Sequence, residues 1–414
     1  MYLFSVITLF SFLPISMMMG NFVINLNIIL LDVLLILTCI IQKKWSWCKT
    51  KSFYLLLLFY FYLIFNSLFN YYQNNIYGID GILRSVSFIK FLFFIYSFKV
   101  LIPRKEIFTK IMFYWLITIS IVVFDVFFEK YFGFNTLNFK SLDSTRIISF
   151  FYDENIVGSF LFCFGFITCA YFLEEREINF NKKLFINTLI IFLLIAVLFS
   201  GERSNFIKSF ILFNLIIIFI KPEKLILKKS SIILILIASI IGSILISEKI
   251  YIKQTEFFKR LMVNKDANTI SGKIDNIKYF AHYDAAWKIF QNFPATGIGS
   301  KNFRIECQKD EYFNEGLSHS INRCNTHPHQ VHFELLSEQG LIGYIFFFYL
   351  VLSSLKNRFN YHKQNIFFLS VNFYILIFLI PILPGGSIFS TTNGFAFWII
   401  FAVLIYLNKK NLSN

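Results

Sequence analysis

The sequence predicts an all-α polytopic membrane protein: about twelve transmembrane helices with one large periplasmic loop containing short helices. Apolar stretches recur at about 20 residues, the length a helix needs to cross a bilayer. The chain is 57% hydrophobic and only 15% charged, so a soluble surface could not be covered with its polar residues. Its net charge of +15 is confined largely to short connections between apolar runs instead of one amphipathic face. That pattern orients a membrane protein and argues against a nucleic-acid surface.

The elements follow in order. The first run, 2–18, lacks a charged start and a small-residue cleavage site and continues into a second, so it is expected to be a retained span. Further spans are expected near 22–41, 52–69, 82–102, 111–128, 147–173, 184–200, 204–220, 230–247, 333–355, 366–384 and 393–407. Alternate connections are basic, for example Lys43, Lys44, Lys49 and Lys51, then Lys221, Lys224, Lys228 and Lys229. The positive-inside rule puts these connections and both termini in the cytoplasm. Residues 1–247 thus hold transmembrane helices one to nine, 248–332 form a periplasmic loop, and 333–414 hold helices ten to twelve. Aromatic and charged residues alternate through the loop as in short surface helices, with Pro294, Gly297 and Gly299 as breakers.

Cys307 and Cys324 are the two cysteines of the outer loop. In an oxidising compartment they are expected to form a disulfide worth about 3 kcal/mol of chain restraint; the alternative is a pair of free thiols. Cys39, Cys48, Cys163 and Cys169 fall in spans or on the inner side and are expected to be reduced, and no spacing suggests zinc.

The densest polar stretch is Cys324-Asn325-Thr326-His327-Pro328-His329-Gln330-Val331-His332-Phe333-Glu334, where the loop meets the tenth span. Thr326 is suited to cap a helix with Pro328 in its first turn. His329 and His332 would then share a face, with Glu338 deeper. An imidazole at the water boundary suits a general base, because histidine titrates near the working pH. Hydrogen-bonding interfacial histidines and a metal-binding cluster remain the alternatives.

Two arginines on the same side favour chemistry. Arg203 lies in the short hairpin Ser200-Gly201-Glu202-Arg203-Ser204, and Arg146 precedes Phe151-Tyr152-Asp153-Glu154-Asn155. An arginine at a membrane boundary is usually a snorkelling anchor, but anchoring cations accumulate on the inner side, and an outer guanidinium is a fork for a diphosphate. Asp32 and Lys90 lie inside spans, where a charge is costly, and each is available to pair with the other.

With these residues in view, the chain resembles the O-antigen ligase and O-antigen polymerase superfamily of membrane glycosyltransferases. The likeness is most specific over 289–344: Phe293-Pro294-Ala295-Thr296-Gly297-Ile298-Gly299-Ser300-Lys301-Asn302-Phe303-Arg304, Thr326-His327-Pro328-His329, and Glu334 through Gly343. Weaker matches lie at Arg146–Gly158 and Ser200–Ser204. The resemblance implies an inner-membrane enzyme of lipopolysaccharide or surface polysaccharide biosynthesis. It would take a glycan from undecaprenyl diphosphate and place it on a saccharide or lipid A-core acceptor at the periplasmic face, without nucleotide sugar, metal or other cofactor.

The histidine of the family's His-Asn pair falls on His329, with Gln330 in place of the Asn and His332 where an aromatic is common. The family's loop arginine has no counterpart; the nearest positions are Lys278, Tyr279 and His282, with Lys278 or Arg304 as stand-ins. The expected site is therefore His329 as base, with Arg203, Arg146, Arg304, Lys278, His327, His332 and Glu338 binding substrate. Three other readings stay open: a polymerase joining lipid-linked repeats; a transporter of lipid-linked oligosaccharide, disfavoured because no internal repeat and no midplane polar cluster is evident; and a metal-sensing receptor, which would have no use for the arginines.

Overall fold

The computed structural model describes residues 2–408 apart from 75, 143–145, 153–154, 176–178, 227, 230–231, 233–236, 238–277, 318, 357–364 and 382. Nearly all of the span expected at 230–247, and the first part of the outer loop up to 277, lie outside the described residues.

The described chain is all-helical: α1 (Tyr2–Ser11), α2 (Leu13–Met18), α3 (Asn21–Gln42), α4 (Lys51–Gln73), α5 (Asp80–Ser87), α6 (Ile89–Leu101), α7 (Lys105–Phe132), α8 (Val157–Glu174), α9 (Phe180–Phe199), α10 (Arg203–Phe219), α11 (Lys278–Asn292), α12 (Phe303–Glu306), α13 (Val331–Lys356), α14 (Ile366–Phe378) and α15 (Thr391–Leu407). Among the described residues, seven helical stretches are long and apolar enough to cross a membrane: α3, α4, α5 continuing into α6, α7, α8, α9 and the α13 stretch. Polar side chains mark several starts. Thr50, Asn179, Asn365 and Ser390 accept amide hydrogens from the first turns of α4, α9, α14 and α15. Gly133, at φ 79°, ends α7 in the left-handed conformation.

The core lies around α15, which is apolar on every side and buried along nearly its whole length, from Phe395 to Tyr406. It packs on α6, and Trp398 meets Phe88 and Phe347 edge-on and Phe91 at a tilt. α8 is enclosed to a similar degree.

The boundaries differ from the sequence expectation in three places that matter for the site. The described residues of 147–156 are not helical: Ser149 and Tyr152 take positive φ of 47° and 55°, and α8 begins only at Val157. Helix α14 stops at Phe378, because Pro381 has no amide to donate back into it, and the described residues of 379–390 are non-helical instead of completing a span to 384. Helix α13 begins at Val331 instead of at Thr326. Gln330 caps it, its side-chain oxygen accepting the Phe333 amide at 3.0 Å, while the Thr326 hydroxyl lies 3.1 Å from His327 Nδ1.

The described part of the segment 248–332 packs a small core of Ala285, Ala286, Ile289, Ile298, Phe303, Cys307 and Tyr312, which Tyr77 joins from the connection between α4 and α5. A disulfide joins Cys307 to Cys324, with Cα atoms 5.4 Å apart. Beneath it, the turn at 294–299 is laced to a break in α13. Gly340 has φ 62° and ψ −172°, which unwinds the helix. The freed backbone is satisfied by the turn: Ile298 and Gly299 amides donate to Ser337 and Glu338 carbonyls at 3.0 and 2.8 Å, and Leu341 and Ile342 amides donate to Pro294 and Ala295 carbonyls at 2.8 and 3.2 Å. The two motif stretches of the sequence, 293–304 and 334–343, are thus one structural unit.

Candidate active site

The loop at 380–390 draws the site together. Its Gly385 amide donates to the His329 carbonyl at 2.7 Å. Its Pro384 carbonyl accepts from the Ser204 hydroxyl and, at 3.3 Å, from Lys208 Nζ. Its Ser387 hydroxyl is bonded to both Arg84 and Glu334. One short loop therefore joins the helix carrying Arg203, the start of the helix after His329, and α5.

His329 precedes α13 with φ 58°, in the left-handed region. It does not share a helical face with His332, as a helix beginning at Thr326 would require. Its ring lies against three others: His327, His282 and Tyr279, at centroid distances of 4.3, 5.4 and 5.6 Å. His282 is buried, with Nδ1 2.9 Å from the Arg323 carbonyl. Burial, with the Arg84 charge as the next cause, pushes the His327 ionisation down to about 4, so this imidazole is neutral at physiological pH. Among the described residues, no group of three or more His, Cys, Asp or Glu side chains is disposed to hold a metal ion. His332 turns elsewhere: its ring nitrogens lie 2.9 Å from the Tyr344 hydroxyl and 2.8 Å from the Leu379 carbonyl.

Arg203 opens α10, next to Ser204 and its bond to Pro384. The preceding Glu202 is the brace of the hairpin. Its carboxylate accepts from the Gly158 amide and the Asn205 side chain, both at 2.6 Å. Burial pushes Glu202 up to about 7, against those hydrogen bonds and the nearby Arg146 charge. Arg146 itself is carried by a loop that two buried carboxylates of α7 hold in place: Glu129 accepts the Ile148 and Ser149 amides at 3.1 and 2.6 Å, and Asp125 accepts the Ser149 hydroxyl at 2.6 Å and the Thr136 amide at 2.8 Å. Arg146 and Arg203 are thereby brought to one hairpin around Glu202.

Glu338 is fully buried, and so is Glu334. Both face Arg84: Nη2 lies 3.2 Å from Glu334 Oε1, and Nη1 lies 3.7 Å from Glu338 Oε2. The guanidinium also lies over the Phe389 ring, 5.4 Å from its centroid. Arg304 is elsewhere, with Lys301 on the exposed carboxylate of Asp80, at 3.3 and 3.1 Å. Lys278 opens α11; its side chain lies outside the described residues, as do Asp153 and Glu154. Away from the site, Lys90 donates to Asn25 at 2.6 Å, and Asp32 Oδ1 has no hydrogen-bond partner among the described residues.

Sequence reasoning missed Arg84, Glu334, Lys208, Glu202 and the 380–390 loop. Arg84, Lys208 and Glu334 did carry a signal: each is an ionisable residue inside an expected apolar span, where a charge persists only with a partner or a task. Glu202 was visible only as the neighbour of Arg203, and the first part of the loop was hidden inside the apolar run expected at 366–384.

No curated protein matches this chain. Residues 188–348, which take in Arg203, Lys208, His282, the histidine stretch, Glu334 and Glu338, match the family model described as O-antigen ligase, a match that supports the likeness of this membrane protein to the O-antigen ligase and O-antigen polymerase superfamily.

Proposed function

We propose that the chain is an O-antigen ligase-like glycosyltransferase, moving a glycan from undecaprenyl diphosphate to a sugar hydroxyl of a saccharide or lipid A-core acceptor. It would sit in the inner membrane with about twelve spans, the segments 1–247 and 333–414 in the bilayer, and the loop 248–332 in the periplasm completing the site. The observation that carries this reading is the shared Pro384–Gly385 turn, which fixes His329 on one side and the cation-bearing start of α10 on the other.

In the reaction, His329 takes the proton of the acceptor hydroxyl as its oxygen forms a bond to the anomeric carbon. The bond from that carbon to the diphosphate oxygen breaks, and the electron pair leaves with the lipid diphosphate. Arg203 and Arg146 offset the charge that develops there. A single displacement inverts the anomeric configuration. His327 and His282 wall the base, and Arg84 with Glu334 holds Ser387 and so the loop under it. Arg304 and His332 are occupied by Asp80 and by Tyr344 with Leu379, so their contribution is secondary.

The test is transfer by the purified full-length protein, given an undecaprenyl-diphosphate-linked glycan and candidate acceptors without added metal. Transfer with inversion, lost in His329→Ala and insensitive to chelator, is the expected result. Activity killed by chelator and restored by a divalent metal would remove the direct-displacement mechanism. A polymerase, in which the acceptor is a second lipid-linked repeat, uses the same groups. A deletion strain whose surface core keeps a single repeat identifies the polymerase, and a core without any repeat identifies the ligase.

A further inference from the structure

Lys208 is a cation that the reading above does not use. It lies on α10, five residues beyond Arg203, and is only 3% exposed. Its ammonium carries three N–H donors. Among the described residues it has one hydrogen-bond acceptor, the Pro384 carbonyl at 3.3 Å, and no carboxylate within ion-pair distance. The Phe378 ring lies 5.4 Å from Nζ. An ammonium so enclosed is under-coordinated, and an arriving anion would complete its shell.

Its position says which anion. A Cβ added to Gly385 would stand 3.3 Å from Lys208 Nζ, and the amide of the same Gly385 is the group bonded to the His329 carbonyl. Lys208 and the proposed base therefore flank one glycine that has no side chain to separate them. Lys208 Nζ and the His329 backbone thus lie against the same glycine.

We propose that Lys208 is a direct ligand of the lipid-borne diphosphate, contacting a phosphate oxygen from the membrane side while Arg203 does so from the water side. This rests on the reading of the site as one for a lipid diphosphate. A plain structural role is the competing explanation, in which Lys208 and Ser204 merely pin the Pro384 carbonyl.

Equilibrium binding to the full-length protein in phosphatidylcholine nanodiscs separates the two, with undecaprenyl diphosphate and undecaprenol as probes. Lys208→Met is expected to weaken undecaprenyl diphosphate roughly ten- to hundredfold, the loss of a charge-assisted contact, and to leave undecaprenol unchanged. Ser204→Ala, which removes the other donor to Pro384, is expected to bind the diphosphate within about threefold of the parent. Equal diphosphate binding by Lys208→Met overturns the assignment. So does a parallel loss of undecaprenol, or a loss in Ser204→Ala that matches Lys208→Met, since both trace the effect to the turn. Displacement of the diphosphate by an equal mole fraction of phosphatidylglycerol would make the anion a bulk lipid headgroup and overturn it too. A parent protein that binds no undecaprenyl diphosphate defeats the proposed function itself, whereas a parent that binds beside an unaltered Lys208→Met defeats Lys208 alone.

Discussion

Arg84 faces two fully buried carboxylates, Glu334 and Glu338, and shares Ser387 with the first. Removing the guanidinium leaves those charges in a dry interior, where breaking one partner of a buried pair costs about 3–5 kcal/mol. Arg84→Met is therefore expected to lower the thermal unfolding midpoint sharply and to abolish transfer with it. In a Glu334→Gln background the same change is expected to cost less; equal costs in the two backgrounds would show that the contact carries no coupling energy. The histidines give a second prediction at this scale. With its ionisation depressed to about 4, His327 stays neutral in the fold, whereas an unfolded histidine titrates near 6.5. The unfolded chain binds more protons between those values, so His327 contributes stability that is present above about pH 6.5 and lost as pH falls toward 4. The proposed base acts on rate alone: activity falls as pH drops through that base's own ionisation, because a protonated base accepts nothing. A His327→Gln variant is expected to keep that acid limb of the rate profile while flattening the loss of stability below pH 6.5. Disappearance of the limb in His327→Gln would make His327, and not His329, the titrating group.

At the scale of elements, the break in α13 is what turns a membrane helix into part of a site. The left-handed backbone at Gly340 frees carbonyls at Ser337 and Glu338, and the turn from Pro294 to Gly299 fills them. A Cβ at Gly340 would stand 2.3 Å from the Ala295 carbonyl oxygen, a contact with backbone that cannot swing aside. Gly340→Ala is thus expected to destabilise by more than about 2 kcal/mol, from the positive φ plus the clash, while Gly78→Ala, with nothing near its added carbon, should match the parent. A Gly340→Ala midpoint equal to that of Gly78→Ala would mean that the break is not built as described. The glycines at 297 and 299 were legible in the sequence as breakers, whereas Gly340 fell inside the span expected at 333–355, and the pairing of the two stretches was not legible, because backbone hydrogen bonds between segments about forty residues apart leave no periodicity in either. The same holds for 379–390. Apolar residues in this loop look like the end of a span, and only Pro381 and the Pro384-Gly385-Gly386 run hinted otherwise. His329 was legible by type and place, but its left-handed turn was not, since a histidine before Gln330 and Val331 reads as a helix start.

Across the whole molecule, the groups from distant parts of the chain meet at one end of the bundle. Arg84 reaches Glu334, Ser204 reaches Pro384, and His329 reaches Gly385, although these pairs are far apart in sequence. The charge distribution gives that end a side. Lys43, Lys44, Lys49 and Lys51 sit together between α3 and α4, and Lys221, Lys224, Lys228 and Lys229 follow α10. Each cluster is at the opposite end of its helix from the site: α4 runs from Lys51 toward Asn66 and Asn70 beside the broken helix, and α10 runs from Arg203 at the site to Phe219. In the proposed topology the positive connections stay in the cytoplasm, which would put the histidines and Arg203 outside. A reporter active only in the periplasm, fused after residue 310, should therefore be active, and one fused after residue 360 should be silent, with a cytoplasmic reporter giving the reverse. Activity in the cytoplasm at 310 would put the disulfide Cys307–Cys324 in a reducing compartment and the lipid diphosphate on the wrong face, and no glycan could then be transferred outside.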